Sequence, residues 1–388
     1  MPATQSNRQV SVKTALADDV LLFANMRGTE KLGRLSEWTV TMESENHNIQ
    51  IADVLGKPLD VVLDTADGTG KRYFNGVVTR FAHAGSNNNF SIYSATVRPG
   101  LWLLSRAANC RIFQDMSVPD IIKQVCGDYG SDVVLDQSGL SQTHPALPYC
   151  VQYRETDLDF VCRLMEQSGM YFYFTHTSGR HTTMLADSYT THAAIPGYAE
   201  MKVATARDEE SFENWAVSGA ITTSKYDVND FDFEKAASSA AGGLRATASI
   251  PAAYGQASYT MYDYPGKYLV AADGGAIAKV RIESEHGLGE EIAATANARG
   301  LYPGGLFTLV EHPRDEANTT YLVTSTSYTI TGDDYASGDR AFSFACNITA
   351  IGSAHAFRPM RTVPQPVVQG PQTAMVVGKA GEEIWTDK

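Results

Sequence analysis

The sequence predicts a mainly β protein with an α+β insertion: two small β-barrel domains and, between them, a mixed α/β region. Three observations carry this reading. Short β-rich runs recur at even spacing through the first quarter of the chain, helix-start signals replace them after about residue 106, and the β pattern returns from about residue 206. Evenly spaced strands bounded by turn residues indicate a sandwich or a small barrel, and the barrel is the preferred reading.

Residues 1–105 form the first expected barrel. Its runs are Val20–Ala24, Trp38–Met42, Leu59–Leu63, Tyr73–Phe81 and Phe90–Val97, separated by Gly, Asn and Asp. Trp38, Val40 and Met42 alternate with Thr39 and Thr41, the period of two expected of a half-buried strand.

Residues 106–205 form the mixed segment. Ser117-Val118-Pro119-Asp120 reads as a helix start, with a serine cap, proline in the first turn and an acid three residues on, followed by Ile121, Ile122 and Val125 at helical spacing. Thr156-Asp157-Leu158-Asp159 repeats the form; Leu158, Val161, Leu164 and Met165 make an apolar stripe, and Gly169 is placed to end the helix. Met170–Thr175 is too aromatic for a surface helix and fits a strand. Ser178-Gly179 then turns the chain into Arg180–Leu185, a register that sets His176 opposite His181.

Residues 206–357 form the second expected barrel, with strands at Phe212–Ile221, Tyr259–Tyr262, Leu306–Val310, Tyr321–Ile330 and Ala341–Ile351 and one helix near Gly275–Ser284. No residue-level repeat links the two β parts, although their similar size and class permit a duplication. Residues 358–388 contain Pro359, Pro364, Pro366 and Pro371 and read as an extended spacer, because clustered prolines continue neither a helix nor a central strand. A β pattern resumes at Thr373–Val377 and again at Glu383–Lys388.

Composition narrows the function. Against 44 Asp and Glu stand 31 Lys and Arg, a net charge of -13, with no block of basic residues; phosphate backbones and anionic lipid surfaces repel such a chain, so nucleic-acid binding is not expected. No stretch approaches the length of a membrane span, so no stable membrane insertion is expected. Cys110, Cys126, Cys150, Cys162 and Cys346 are odd in number and widely spaced, as reduced cysteines of a cytoplasmic protein would be. The polar first twenty residues lack a signal-peptide pattern, so export would need a dedicated machine.

Candidate chemistry is sparse. Two imidazoles at His176 and His181 can share an ion, but zinc wants three or four protein ligands and spacing supplies no third, so a polar pair near a hairpin tip is preferred. Glu155, Asp157 and Asp159 are carboxylates of the kind glycosidic chemistry uses, yet they flank a helix start, where acids meet the positive end of the dipole, and capping is preferred. Glu283, Glu285, His286, Glu290 and Glu291 lack HExxH spacing and read as a solvated helix end. Gly28–Gly33 only superficially resembles a phosphate loop, because Arg34 stands where its lysine belongs. Tyr171 and Tyr173 alternate with Phe172 and Phe174, and packing is preferred to a carbohydrate or partner surface. No catalytic, cofactor-binding or metal residue is therefore assigned, and no cofactor is expected.

Ordered segments across nearly the whole chain resemble one family. They are Arg72–Thr79, Arg98–Phe113, Ser117–Ile122, Gln152–Leu164, Arg180-His181 with Leu185–Ser188, Tyr264–Tyr268, and Pro371–Gly378 continuing through Glu382–Lys388. The pattern is similar to the VgrG spike proteins of the type VI secretion system, related to the hub of contractile phage tails. The resemblance implies two barrels of phage tail hub type and a homotrimer presenting six barrels to the hexameric Hcp tube. It also implies contacts with baseplate proteins, and a downstream OB-fold and β-helix needle tipped by a PAAR protein and carrying effectors. Residues 358–388 would be the linker and the start of a truncated OB-fold. The implied role is non-enzymatic: cytoplasmic before firing, then injected by the machine. A phage-type tail hub with cell-wall hydrolase activity is the alternative.

Overall fold

The computed structural model describes residues 2–381 except 88, 205–209, 233–243, 252–258, 269, 288, 337–339, 354, 372, 374–377 and 379–380. The strands expected at 373–377 and 383–388 therefore fall almost entirely outside the described residues. The N-terminal part carries β1 (Val10–Lys13), β2 (Leu22–Lys31), β3 (Arg34–Ser44), α1 (Ile51–Val54), β4 (Pro58–Asp64), β5 (Lys71–Ser86) and β6 (Ser91–Arg98). The mixed part follows with β7 (Ala108–Phe113), β8 (Met116–Ser117), α2 (Val118–Gly127), β9 (Leu135–Gly139), β10 (Ala146–Leu147), β11 (Cys150–Thr156), α3 (Asp157–Ser168), β12 (Tyr171–Thr177) and β13 (Arg180–Ala186). The remainder carries β14 (Ala193–Ala194), β15 (Glu200–Lys202), β16 (Ala216–Gly219), β17 (Lys225–Val228), β18 (Ala246–Ser249), β19 (Thr260–Asp263), α4 (Ala271–His286), β20 (Glu290–Ala296), β21 (Gly305–Val310), β22 (Thr320–Thr331) and β23 (Ser343–Gly352).

Both outer parts belong to one 13-stranded sheet, joined where β2 pairs antiparallel with β22 from Asn25↔Thr331 to Lys31↔Ser325. One apolar core runs under it, from Phe23, Trp38, Val40 and Phe74 through to Phe212, Phe307, Tyr328 and Ile348. The join demands close approach. A Cβ on Gly28 would lie 2.3 Å from Trp38 Cδ1 and 2.7 Å from the Glu37 carbonyl oxygen, so only glycine fits there.

The mainly β fold with an α+β insertion is present as expected, and among the described residues neither small β unit is closed by strand ladders alone. In each half the last seam is spanned by a single residue. In the first, the buried Gln5 amide lies between β1 and β2: Oε1 accepts from Val12 N–H at 2.8 Å and Phe23 N–H at 3.0 Å, and Nε2 donates to the carbonyls of Val12 and Leu21. This uses both acceptor positions and both amide hydrogens. In the second, Phe212 bridges Val203 on one side and Ala296 on the other.

The halves repeat one strand order. β1 pairs β4, β4 pairs β5, β5 pairs β6, β6 pairs β3 and β3 pairs β2; likewise β15 pairs β21, β21 pairs β22, β22 pairs β23, β23 pairs β20 and β20 pairs β16. The open seams, β1/β2 and β15/β16, also correspond. Even a bulge recurs, since the β5–β6 register skips Thr79 after Val78 and the β22–β23 register skips Thr324 after Val323. One pairing departs: β15 runs parallel to β21, whereas β1 is antiparallel to β4.

The mixed part has its own core, in which the inner faces of α2 and α3 (Ile121, Ile122, Val125, Phe160, Val161, Leu164) meet Phe172 and Phe174 of β12. Both helix starts are capped locally: Ser117 Oγ accepts from Asp120 N–H and Thr156 Oγ1 from Asp159 N–H, while Gly169 ends α3 at φ 72°. The β12–β13 hairpin turns at Ser178-Gly179, with Thr177↔Arg180 and His176↔His181. The strand expected over Phe212–Ile221 is regular only at Ala216–Gly219, where it pairs with β20. β20 itself lies where a solvated helix end was expected; Ile292, Ala294 and Ala296 alternate inward beneath its acidic start.

Gln5→Leu keeps the volume at the first seam but strands the N–H groups of Val12 and Phe23 without acceptors. The expected loss is about 2–4 kcal/mol of unfolding free energy, read from urea melts. A change under 0.5 kcal/mol would show that water replaces the amide.

Candidate functional site: a buried polar junction and a tethered exit segment

Glu30 sits in the β2–β22 ladder opposite Thr326 and is 4% exposed. Its Oε2 accepts from Arg72 Nη2 of β5 at 2.9 Å and from Thr326 Oγ1 at 3.4 Å, and its Oε1 lies 3.6 Å from His176 Nε2 at the hairpin of the mixed part. Arg72 also donates to Tyr328 Oη, which donates onward to the Leu301 carbonyl, and its guanidinium lies over the rings of Phe74 and Tyr302. One carboxylate thus ties three stretches of chain together.

Electrostatics sharpen the junction. Burial pushes Glu30 up, but Arg72 and His176 outweigh it and hold the carboxyl below its ordinary range. Burial drives His176 down despite the neighbouring Glu30, and burial together with His176 takes His181 down to about 4. Both imidazoles are therefore neutral at pH 7. Their ring centroids are 6.0 Å apart, His176 Nδ1 meets Asn75 Oδ1 at 2.8 Å, and His181 Nε2 accepts from Gly100 N–H at 2.8 Å. Among the described residues no three His, Cys, Asp or Glu converge on a metal position. The pair is a docking contact, more deeply buried than a hairpin tip would suggest, since the His176 side chain is 0% exposed.

The other candidates are structurally engaged. Asp159 lies in the first turn of α3, its N–H capped by Thr156 Oγ1 and its carboxylate accepting from the same hydroxyl. Glu155 and Asp157 do more than cap: Glu155 takes two hydrogen bonds from Arg163, at 2.6 and 2.7 Å, and buried Asp157 accepts from Arg111, Tyr129 and Gln152. The acidic group divides, with Glu283 paired to Arg358, the His286 ring 5.3 Å from that of His355, and Glu290 and Glu291 on β20. Gly28 is mid-strand and Gly33 sits in the β2–β3 turn at φ 68°, so no phosphate loop forms. Tyr171 and Tyr173 are buried like Phe172 and Phe174, packing with Leu32, Leu322 and Ile351. Both faces of that strand are core.

Sequence reasoning missed the exit segment. Residues 358–363 form neither helix nor strand, and they are tied down. Glu166 of α3, 2% exposed, accepts from Arg34 Nη1 at 3.0 Å, Thr362 N–H at 2.8 Å, Thr362 Oγ1 at 2.9 Å and Val363 N–H at 3.0 Å. Arg358 donates to Glu283 and to the carbonyls of Gly169 and Asp187, and Arg361 reaches Asp263 and Tyr226. Arg281 adds a hydrogen bond to the Glu166 carbonyl, so two guanidiniums satisfy carbonyls at the α3 C-terminus. The available signal was Glu166 itself, a charge one turn beyond Cys162 on the helix face that meets the core.

Comparisons agree with this architecture. The family model for the phage tail baseplate hub (GPD) matches residues 29–334. The type VI secretion system spike protein VgrG1b of Pseudomonas aeruginosa is 38% identical over the whole chain, and VgrG1a of the same organism is 38% identical over 99% of it. The chain spans 52% and 60% of those two relatives' own length. Among solved structures, the Escherichia coli c3393 protein, a type VI component described as similar to the T4 tail proteins gp27 and gp5, superposes with a TM-score of 0.67 at 19% identity, covering 92% of this chain and 81% of that one. A 43 kDa prophage tail protein of Shewanella oneidensis superposes at 0.62, covering 90% of this chain and all of that one. By the match over residues 29–334, the chain belongs to the phage tail baseplate hub family.

Proposed function

We propose that the chain is the structural base of a type VI secretion spike: a homotrimer that docks on the hexameric Hcp tube and the baseplate and carries needle, PAAR tip and effectors into target cells. The observation that carries this is the repeated six-strand unit fused through one sheet, because a doubled unit suits a three-chain base facing a six-subunit tube. The anchored exit segment supports a mechanical role, since it fixes the direction in which the chain leaves the hub. A non-enzymatic reading fits the site, whose carboxylates Glu155 and Asp157 are committed to Arg163 and Arg111. The four-part division, with 1–105 and 206–357 as tube-like domains, 106–205 mixed and 358–388 as linker and start of an OB-fold, belongs to the same proposal. The protein would be cytoplasmic before firing and injected afterwards.

Co-sedimentation of the purified chain with preassembled Hcp tubes tests the reading. Pelleting that saturates at tube ends is expected. Absence of pelleting, or release of muropeptides from purified peptidoglycan, would overturn it.

The buried histidines predict an acid limit to the rigid base. His181 and His192 titrate near 4 in the fold, His181 through burial and His176, His192 through burial alone, against 6.5 when exposed. The unfolded chain therefore binds protons that the folded chain refuses, so stability is full above pH 6.5 and falls as pH drops toward 4. The expected loss is about 3 kcal/mol per histidine once pH falls below both values. His181→Gln should flatten the slope in denaturation curves over that window; an unchanged slope would remove His181 as a cause.

A further inference from the structure

We infer that His286 and His355 form a two-imidazole site for a divalent late transition metal ion, Ni2+ or Cu2+, which staples the end of α4 to the start of the exit segment. The two stretches already lie alongside each other in opposite directions. Glu283 pairs with Arg358 at 2.8 Å, Ser284 Oγ donates to the Pro359 carbonyl at 3.1 Å, and the His286 and His355 rings stand 5.3 Å apart at 37°. Residues three apart share a face of a helix, so the histidines are the next rung beyond the Glu283–Arg358 ion pair. Both backbones are pinned: His355 N–H donates to the Gly352 carbonyl at 3.0 Å, and the His286 carbonyl accepts from Gly289 N–H at 2.9 Å.

The spacing is the one a shared ion needs. With metal–nitrogen bonds of about 2.0–2.1 Å meeting at about 90–120°, two imidazole centres stand roughly 4.5–5.5 Å apart. The Pro251 carbonyl interacts with the His286 ring and favours a proton on one nitrogen, the arrangement that orients a metal-binding imidazole and leaves its other nitrogen to the ion. Burial, and the charge His355 can carry, hold His286 below its ordinary range, so it is neutral at pH 7 and able to ligate. His286 is also the last residue of the 16-residue α4, where the negative end of the helix dipole favours a cation. Among the described residues the chain supplies these two ligands and no third. That argues against a closed zinc site and suits ions that take imidazole and complete their shell with water, which half-buried rings admit. The His176–His181 pair lacks this character, because its rings are 6.0 Å apart and their nitrogens are engaged by Asn75 and Gly100. The site goes beyond the docking role proposed above and does not depend on it.

Calorimetric titration with Ni2+ tests the site, on the untagged chain carrying Cys110→Ser to remove the exposed native thiol. The tightest site is expected to take one ion per chain. Its affinity should fall at least tenfold in His286→Ala and in His355→Ala alike, and stay unchanged in His83→Ala, which removes an exposed imidazole elsewhere. His286→Gln and His355→Gln, run beside the alanine variants with circular dichroism spectra, separate lost binding from lost fold. The Cu2+ complex should show electron paramagnetic resonance splitting from two ring nitrogens, reduced to one in each variant. Saturating Ni2+ should raise the urea midpoint of the parent chain and leave that of the variants in place, because an ion held only by the folded state stabilises it by mass action. Absence of binding, or binding that survives the loss of either histidine, would overturn the inference.

Discussion

The buried Glu30–Arg72 contact is the constraint on which the rest of the structure depends. Taking a carboxylate and a guanidinium out of water is costly, and hydrogen bonds to the remaining polar positions offset that cost. Here Arg72 of the first half and Thr326 of the second donate to Glu30, Arg72 donates to Tyr328, and His176 of the mixed part lies 3.6 Å from Glu30, while Arg72 Nε and His176 Nε2 have no hydrogen-bond partner among the described residues. An apolar pair could hold two strands together equally well, yet it would tolerate a slipped register. A one-residue slip of β2 against β22 would turn Glu30 to the other face of the sheet and leave Arg72 buried without its anion. The contact thus specifies one register and one docking pose of the β12–β13 hairpin.

The single-residue seams follow from the same geometry. Each half curls until its end strands almost meet, while β2 and β22 also pair with one another across the halves. The gap is narrow enough for one side chain at Gln5 and one backbone residue at Phe212. Buried strand-edge groups left unpaired would cost about 1–3 kcal/mol each. That penalty explains why a glutamine, which offers two acceptor positions and two donors in one plane, lies in an otherwise apolar surrounding.

What the sequence revealed was local. Ser117 and Thr156 cap their helices with groups three residues away, and Ser178-Gly179 turns a hairpin whose register follows from two residues, so α2, α3 and β12–β13 are readable without tertiary information. β20 was hidden because its inward residues are mostly alanine and its first two are glutamate, a pattern too weakly apolar to show the period of two. The candidate site was hidden for another reason. Glu30, Arg72 and Glu166 read as ordinary surface charges until folding brings together segments up to 298 residues apart, from Glu30 to Tyr328. The strand repeat was illegible too, because it is preserved in pairing order and a bulge position rather than in side chains.

The placement of the anchors on the exit segment bears on how force would cross this molecule. β23 ends at Gly352, and Arg358, Arg361, Thr362 and Val363 follow it in that order. Any pull or push arriving from residues beyond 363 meets these contacts before it reaches β23. They are charge-assisted bonds, the stronger class, and they run to α3, α4 and β19 rather than to the sheet. A load entering here would be shared by helices of separate cores before it could peel a ladder strand by strand. Glu166 is central to that sharing, because through Arg34 the same carboxylate also grips the β2–β3 turn. The turn leads straight into the β2–β22 ladder, so the exit segment and the buried junction at Glu30 form one connected scaffold.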